Sequence, residues 1–136
     1  MSDVHELTPA EAAALVRVPT ADDDKYARGV LGLLTGSSRY PGAAVHGVEA
    51  ALRTGVGMVR YLGPARAAEL VLQRRPEAVT AEGRVQAWLI GSGMALLGAD
   101  ATGAAGEPLD TTTAERVRRA LASGHPLIID AGAIAP

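Results

Sequence analysis

The sequence contains no cysteine and no phenylalanine, and aromatic residues make up only 3% of its 136 positions. Without cysteine the chain can form neither disulfide bonds nor a reactive thiolate. Its one tryptophan and three tyrosines are too scattered to form a platform on which nucleic-acid bases stack. The net charge is −2 with an isoelectric point near 5.9, so electrostatic attraction for nucleic acid is missing as well.

Signals for membrane insertion, export and one common type of nucleotide site are also absent. No apolar run is as long as a transmembrane helix, and the first residues are acidic, unlike those of a secretory signal peptide. We therefore expect a cytoplasmic protein with no membrane and no nucleic-acid partner. No G-x-x-x-x-G-K-[ST] sequence is present, which excludes a phosphate-binding loop of that type. His5, His46 and His125 do not cluster, and we expect no metal site.

What the sequence does contain is a regular alternation of apolar runs and helical periodicity. The predicted strands are residues 29–37, 56–63, 84–90 and 125–130, with a brief one at 77–80, and the predicted helices are 43–54, 64–75 and 111–124. Strands that are nearly continuous apolar runs and alternate with helices predict an α/β fold with a parallel sheet covered on both faces. Residues 1–21 form a separate N-terminal helix and linker in this prediction, and 22–136 form the α/β domain.

Several helix ends carry recognisable capping signals. Thr8 and Glu11 have the spacing of a capping box at the start of the N-terminal helix. Thr112 and Glu115 have the same spacing, and we expect a second capping box there. Gly55 follows the helix at 43–54, where a left-handed residue commonly ends a helix.

Three predicted loops follow strands, and ligands of open parallel sheets gather at the carboxyl ends of strands. Gly36 and Gly42 would permit a tight turn and the close approach of a ligand, such as a phosphate, to the next helix. The "GSG" at 91–93 is not a dinucleotide fingerprint, because Leu96 stands where a third glycine belongs. Asp130 ends a strand predicted to be buried, where an unpaired carboxylate is costly. Each pattern also has a purely structural explanation. The glycines could form plain turns without a ligand, and Asp130 could cap a neighbouring loop.

Taken together, the loops resemble those of a known family. The segments "KYARGVLGLLTGSSRYPGAAVHGVEAALRTGVGMVRYL", "PEAV", "LIGSGM" and "PLIIDAGAI" occur in that order. They resemble the ADP/ATP-dependent NAD(P)H-hydrate dehydratases over residues 22–136. The resemblance implies a three-layer ribokinase-like fold, with a mostly parallel sheet and helices on both faces, of which this chain would be the N-terminal half.

The resemblance also implies a repair reaction. Members of the family dehydrate (S)-NADHX and NADPHX, the hydrated and inactive forms of NADH and NADPH. A nucleotide phosphorylates the hydroxyl of the hydrate, and phosphate then leaves. The expected phosphoryl donor is ADP, as in bacterial members, or ATP, together with Mg²⁺. The family further implies a homo-oligomer, such as a tetramer.

Site residues follow from the same resemblance, motif by motif. Ala43 and Gly93 would contact the hydrated dinucleotide. Gly42, Ala44 and Gly91 would shape the pocket around it.

Other features of the resemblance concern Asp130 and the end of the chain. Asp130 would lie at the edge of the pocket in a supporting role. Ser92 stands where the family usually has proline, which implies a less rigid loop. The family's catalytic aspartate and its Lys-Gly nucleotide loop would lie beyond Pro136, so no catalytic residue is assigned within the chain. We therefore expect the chain to be inactive by itself.

Two alternatives remain open at this point. The chain could be a non-catalytic fragment that binds a dinucleotide or pairs with a complementary half. It could also be half of another ribokinase-like kinase that acts on a small molecule, such as a vitamin precursor or a sugar.

Overall fold

The computed structural model describes residues 5–94 and 109–134. The predicted helices and the four longer predicted strands are found, mostly with shorter bounds. The small and polar residues 99–109 predict a surface loop, and 99–108 lie outside the described residues. The elements in chain order are α1 (Pro9–Leu15), β1 (Val30–Leu34), α2 (Pro41–Arg53), β2 (Met58–Tyr61), α3 (Ala65–Arg74), β3 (Ala87–Ile90), α4 (Thr111–Leu121) and β4 (Leu127–Ile129), followed by a 3-10 turn (Ala131–Ala133).

The four strands form one parallel sheet in the order β2-β1-β3-β4. β1 is central, and its residues Leu33 and Leu34 are fully buried on opposite faces of the sheet. β1 pairs with a strand on each side and is covered on both faces of the sheet, which explains why its sequence is a continuous apolar run. The brief strand predicted at 77–80 is a single parallel bridge between Arg60 and Val79, at the outer side of β2.

Two apolar clusters cover the two faces of the sheet and confirm the three-layer α/β architecture. On one face α2 and α3 pack on the sheet, with Val48 and Val71 fully buried against Leu33. On the other face α4 packs through Val117 against Leu34 and its neighbours. Each helix therefore presents one apolar stripe to the sheet. No helix within the described ranges is long and apolar enough to cross a membrane.

The predicted cap of α1 is confirmed, whereas the one predicted for α4 is wrong. Thr8 accepts the Glu11 backbone N–H, and the Glu11 carboxylate accepts the Thr8 N–H at 2.8 Å. At α4 the capping residue is Asp110, whose carboxylate accepts the Thr113 N–H at 2.9 Å. An ionised carboxylate is a strong N-cap acceptor and also interacts favourably with the positive end of the helix dipole. The helix therefore begins before Thr112 can act as its cap.

β4 also differs from expectation, because it is not a buried strand. The side chains of Ile128 and Ile129 are 62% and 42% exposed. β4 pairs only with β3, so it has one free edge within the described structure. Asp130 directly follows this strand and is exposed, so the expected cost of burying its carboxylate does not arise.

Candidate functional site

The turns after β1, β3 and β4 meet at the carboxyl edge of the sheet. The Gly36 N–H donates to the carbonyl oxygen of Ser92 at 2.6 Å, which joins the turn after β1 to the turn after β3. The Asp130 N–H donates to the carbonyl oxygen of Ile90 at 2.9 Å, which joins β4 to the end of β3. Three stretches that are far apart in the sequence therefore form one surface, as the strand order requires.

Ala43 and Gly93, the two residues that the resemblance assigns to direct contact, lie against each other. Gly93 has a φ of +69°, in the left-handed region that favours glycine. A Cβ at Gly93 would come closer than 3.0 Å to the Cβ of Ala43 and would lie 3.2 Å from the carbonyl oxygen of Tyr40. The position therefore needs glycine for its backbone conformation and for its close approach to α2.

Gly36 and Ala44 form a second close pair at the start of α2. Gly36 has a φ of +78°, and a Cβ there would lie 2.9 Å from the Cβ of Ala44. Ala44 is fully buried in the apolar cluster beneath α2. It therefore supports the Gly36 turn from inside, and its side chain has no surface that a ligand could contact. Gly42 is exposed, and a Cβ there would meet no atom within 4 Å, so packing does not explain this glycine.

Gly91 meets the β4 turn through the backbone of Asp130. Gly91 has a φ of +111°, and a Cβ on it would overlap the Asp130 carbonyl oxygen. The same carbonyl accepts the N–H of Ala133 at 3.0 Å, so it holds the turn after β4 in place. The main chain of Asp130 fixes the geometry, and its exposed carboxylate remains available at the rim of the surface.

Sequence reasoning missed the Ser92 carbonyl and Gly132. The Ser92 carbonyl ties two loops together, and a Cβ at Gly132 would overlap the carbonyl oxygen of Met94. Neither role has a signature in the residue types, because each depends on backbone groups from different strands. The only available signal was the presence of glycines after successive strands.

The start of α2 faces the same surface without a side-chain cap. Its N-cap residue is Tyr40, which makes no capping hydrogen bond, and Pro41 occupies the first helical position. The Tyr40 N–H itself donates to the Ser37 hydroxyl at 3.1 Å. The positive end of a helix favours anionic or polar acceptor groups.

A cleft of about 660 Å³ adjoins this surface beside the carboxyl end of β2. Its lining includes Ser38 from the turn after β1, and Arg66 and Asp110 from the starts of α3 and α4. The Tyr61 hydroxyl at its base donates to the Thr35 carbonyl oxygen at 2.7 Å, and burial raises the pKa of this hydroxyl. The volume lies within the range of small-molecule sites.

The arrangement offers backbone groups and small side chains that suit the binding and orientation of a ligand. The closest contacts among the three turns come from backbone groups and small side chains. Within residues 5–94 and 109–134, no group of three His, Cys, Asp or Glu side chains could hold a metal ion.

Comparison with known proteins agrees with these features. The family model of the NAD(P)H-hydrate dehydratases matches residues 31–136. The bifunctional NAD(P)H-hydrate repair enzyme of Mycobacterium leprae is 49% identical over 109 residues, which cover 76% of this chain and 22% of that protein. The Mycobacterium tuberculosis enzyme is 48% identical over the same length.

Solved structures show the same fold. The ADP/ATP-dependent NAD(P)H-hydrate dehydratase of Bacillus subtilis, co-crystallised with ATP/Mg²⁺, matches with a TM-score of 0.72 and 24% identity, over 99% of this chain and 48% of that one. A ribokinase-like superfamily protein of Enterococcus faecalis matches with a TM-score of 0.66 and 23% identity, over 88% of this chain and 43% of that one.

The two kinds of comparison agree on family and on extent. The chain spans about a fifth of the length of the curated relatives and about half of the solved structures that it matches. The family model matches well over half of the chain. The curated relatives are bifunctional NAD(P)H-hydrate repair enzymes, and the Bacillus subtilis structure is an NAD(P)H-hydrate dehydratase. The fold is ribokinase-like, and the chain belongs to the NAD(P)H-hydrate dehydratase family.

Proposed function

We propose that this chain forms the substrate-binding wall of an ADP-dependent NAD(P)H-hydrate dehydratase, which restores NADH and NADPH from their hydrated forms. The family supplies the reaction class, and the carboxyl edge of the sheet supplies a surface suited to a dinucleotide. The full activity belongs to a protein longer than this chain, because the matched structures are about twice its length.

The observation that carries the proposal is the meeting of Gly93 with Ala43 at the start of α2. Both positions hold the smallest side chains, and a Cβ at Gly93 would collide with the Cβ of Ala43, so the two turns can pack this closely only because neither residue is larger. A large polar ligand can then lie against bare backbone, beside helix N–H groups that no side chain caps. Gly42 and Gly91 would widen this surface, Ala44 would support it from beneath, and the Asp130 carboxylate would accept a hydrogen bond at its rim.

The chemistry of the reaction needs groups beyond those described here. Phosphorylation of the hydrate by the nucleotide turns its hydroxyl into a leaving group. Its departure as phosphate, together with loss of a proton from the adjacent ring carbon, restores the double bond of the dihydronicotinamide ring. The Bacillus subtilis protein was co-crystallised with ATP/Mg²⁺. We assign the described residues of this chain no step of phosphoryl transfer. Their part in the proposal is to bind the dinucleotide, orient it and limit the space around its reacting ring.

Direct binding tests this proposal. Isothermal titration calorimetry of the 136-residue chain with NADH hydrate should show saturable binding, and a thiazole or pyrimidine alcohol should not compete. Competition by either alcohol would favour the alternative that this chain is half of another small-molecule kinase. An absence of hydrate binding at millimolar concentration would refute the substrate-wall proposal. Light scattering of the same sample checks the homo-oligomer that the resemblance implies.

A further inference from the structure

The cleft of about 660 Å³ beside the carboxyl end of β2 has no part in the proposed function. Ser38 lines this cleft and belongs to the same turn as Gly36, whose N–H donates to the Ser92 carbonyl oxygen. β2 and β3 pair with opposite sides of β1, so their carboxyl ends lie roughly 10 Å apart. The cleft is therefore the neighbour of the surface formed by Gly93 and Ala43, further along the same edge of the sheet.

Two of the four charged side chains that line the cleft are held by the protein itself. The Arg116 guanidinium donates to the Glu82 carboxylate at 2.9 Å and to the carbonyl oxygen of Leu62 at 3.0 Å. The Asp110 carboxylate accepts the N–H and the hydroxyl of Thr113 at the start of α4. These two side chains therefore support the walls of the cleft.

Arg66 and Glu69 are the other two charged side chains, and both belong to α3. They are exposed, and neither forms an ion pair or a side-chain hydrogen bond with another described residue. Residues three positions apart lie on the same side of a helix, so the guanidinium and the carboxylate are neighbours on one wall. That wall offers donors for an anion beside an acceptor for a hydroxyl group.

These two groups match the one chemical difference between NADH and NADPH. The adenosine ribose of NADH has a free 2′-hydroxyl, whereas that of NADPH has a phosphate at the same position. In dinucleotide-binding folds a carboxylate accepts the 2′-hydroxyl, or an arginine accommodates the 2′-phosphate. A guanidinium suits phosphate because its N–H groups can donate to two oxygens at once. Hydration alters the nicotinamide ring at the other end of the molecule, so the two hydrates differ in the same way.

We propose that the cleft binds the adenosine half of the dinucleotide, and that Arg66 and Glu69 allow one site to accept both hydrates. Arg66 binds the 2′-phosphate of the NADPH hydrate, and Glu69 accepts the 2′-hydroxyl of the NADH hydrate. The nicotinamide half then lies on the surface formed by Gly93 and Ala43, and the diphosphate crosses the turn that contains Ser38. This inference rests on the proposed function, because it takes the dinucleotide as the ligand and adds the residues that set its selectivity.

Binding of the two adenosine halves as separate molecules tests the cleft directly. AMP is the adenosine half of NADH, and adenosine 2′,5′-bisphosphate is the adenosine half of NADPH. In an NMR titration of the 136-residue chain, either probe should shift the amide signals of Ser38, Thr80 and Thr112, which line the cleft. The amide signal of Gly93 should stay unchanged.

Two variants should change the selectivity in opposite directions, measured as the dissociation constant of AMP divided by that of the bisphosphate. Arg66→Gln removes the donors to the 2′-phosphate, so this ratio should fall at least about fivefold. Glu69→Gln removes a negative charge beside that phosphate and weakens the acceptor for the 2′-hydroxyl, so the ratio should rise at least about twofold. The ratio cancels effects on the 5′-phosphate, which both probes carry.

Arg118→Gln is the matched control for Arg66→Gln. Arg118 is an exposed arginine on α4 that does not line the cleft, and its replacement changes the net charge by the same amount. The ratio should stay that of the unaltered chain. All three substitutions are at exposed positions, so the melting temperatures should remain close to one another.

The outcomes separate this inference from the proposed function. Absence of binding by both probes at millimolar concentration, signal shifts at Gly93 instead of in the cleft, or equal ratios in all four proteins would each overturn the inference. Binding of NADH hydrate together with equal ratios would support the proposed function and count against the role of Arg66 and Glu69. The expected shifts and ratios without any binding of NADH hydrate would support the adenosine cleft and count against the dehydratase proposal.

Discussion

Substitution of Gly93 by alanine gives the sharpest test of how the site is built. A Cβ at this position would come closer than 3.0 Å to the Cβ of Ala43 and would lie 3.3 Å from the Cα of Gly36. Carbon atoms in favourable contact are about 3.5–4.0 Å apart, so the turn after β3 must move away from α2. Overpacking of this kind costs about 1–3 kcal/mol of unfolding free energy. The left-handed φ of +69° adds about 1–2 kcal/mol for any residue with a Cβ.

Gly124→Ala is a matched control that separates the two costs. Gly124 has a φ of +70°, yet a Cβ there would meet no atom within 4 Å. We expect Gly93→Ala to be less stable than Gly124→Ala by about 1–3 kcal/mol, which is the packing cost alone. Urea denaturation followed by circular dichroism measures both differences, and titration with NADH hydrate should show weaker binding for Gly93→Ala only.

A double-mutant cycle identifies the contact responsible. Ala43→Gly removes the nearest atom, so in its background the cost of Gly93→Ala should fall by at least about 0.5 kcal/mol, as expected for residues in direct contact. If Gly93→Ala and Gly124→Ala were equally destabilising, or if the cycle showed no coupling, the close approach of the two turns would be refuted.

The other predictions concern the supports of the site. Hydrogen bonds from two arginines of α4 lower the pKa of Glu82 to about 2, so its stabilising effect should be complete at neutral pH and fade as pH falls from about 4.5 towards 2. The difference in unfolding free energy between the unaltered chain and Glu82→Gln should accordingly shrink between pH 7 and pH 3 in urea titrations. Asp110→Ala should cost about 1 kcal/mol in the same assay, whereas Thr112→Ala should cost much less, because Asp110 caps α4. Tyr61→Phe should cost about 1–3 kcal/mol, since it leaves the buried Thr35 carbonyl without its donor.

Each of these has a contrary outcome. A constant effect of Glu82→Gln across that pH range would mean that its carboxylate is not paired with the arginines of α4. Equal losses of unfolding free energy for Asp110→Ala and Thr112→Ala would support the capping box that the sequence predicts. An unchanged stability of Tyr61→Phe would place the Tyr61 hydroxyl in water.

The local elements were predictable because their signals lie in neighbouring residues. β1 reads as an apolar run between glycines, and α2 repeats Ala44, Val48 and Ala51 on its buried face. The capping box of α1 likewise needs only Thr8 and a glutamate three residues later. At α4 the same pattern was misleading, because an aspartate two residues before Thr112 competes for the helix start and provides a charged acceptor.

The exposure of β4 could not be predicted from its residues. "PLIID" has the composition of a buried strand, but burial depends on how many neighbours a strand has in the sheet. The order β2-β1-β3-β4 places β1 inside and β4 at an edge. Long-range pairing decides this order, and no short stretch of sequence contains it.

The sequence by itself determined the α/β alternation, most element positions and the family, because periodicity and short motifs are properties of adjacent residues. Only the tertiary structure decided that Gly93 meets Ala43, that the Asp130 carbonyl oxygen lies against Gly91, and that Ala44 lies beneath the surface. These relations join residues from different strands and helices. Strand order, register and the left-handed glycine turns fix their geometry. None of these can be read from the spacing of residues along the chain, because they depend on pairing between distant segments.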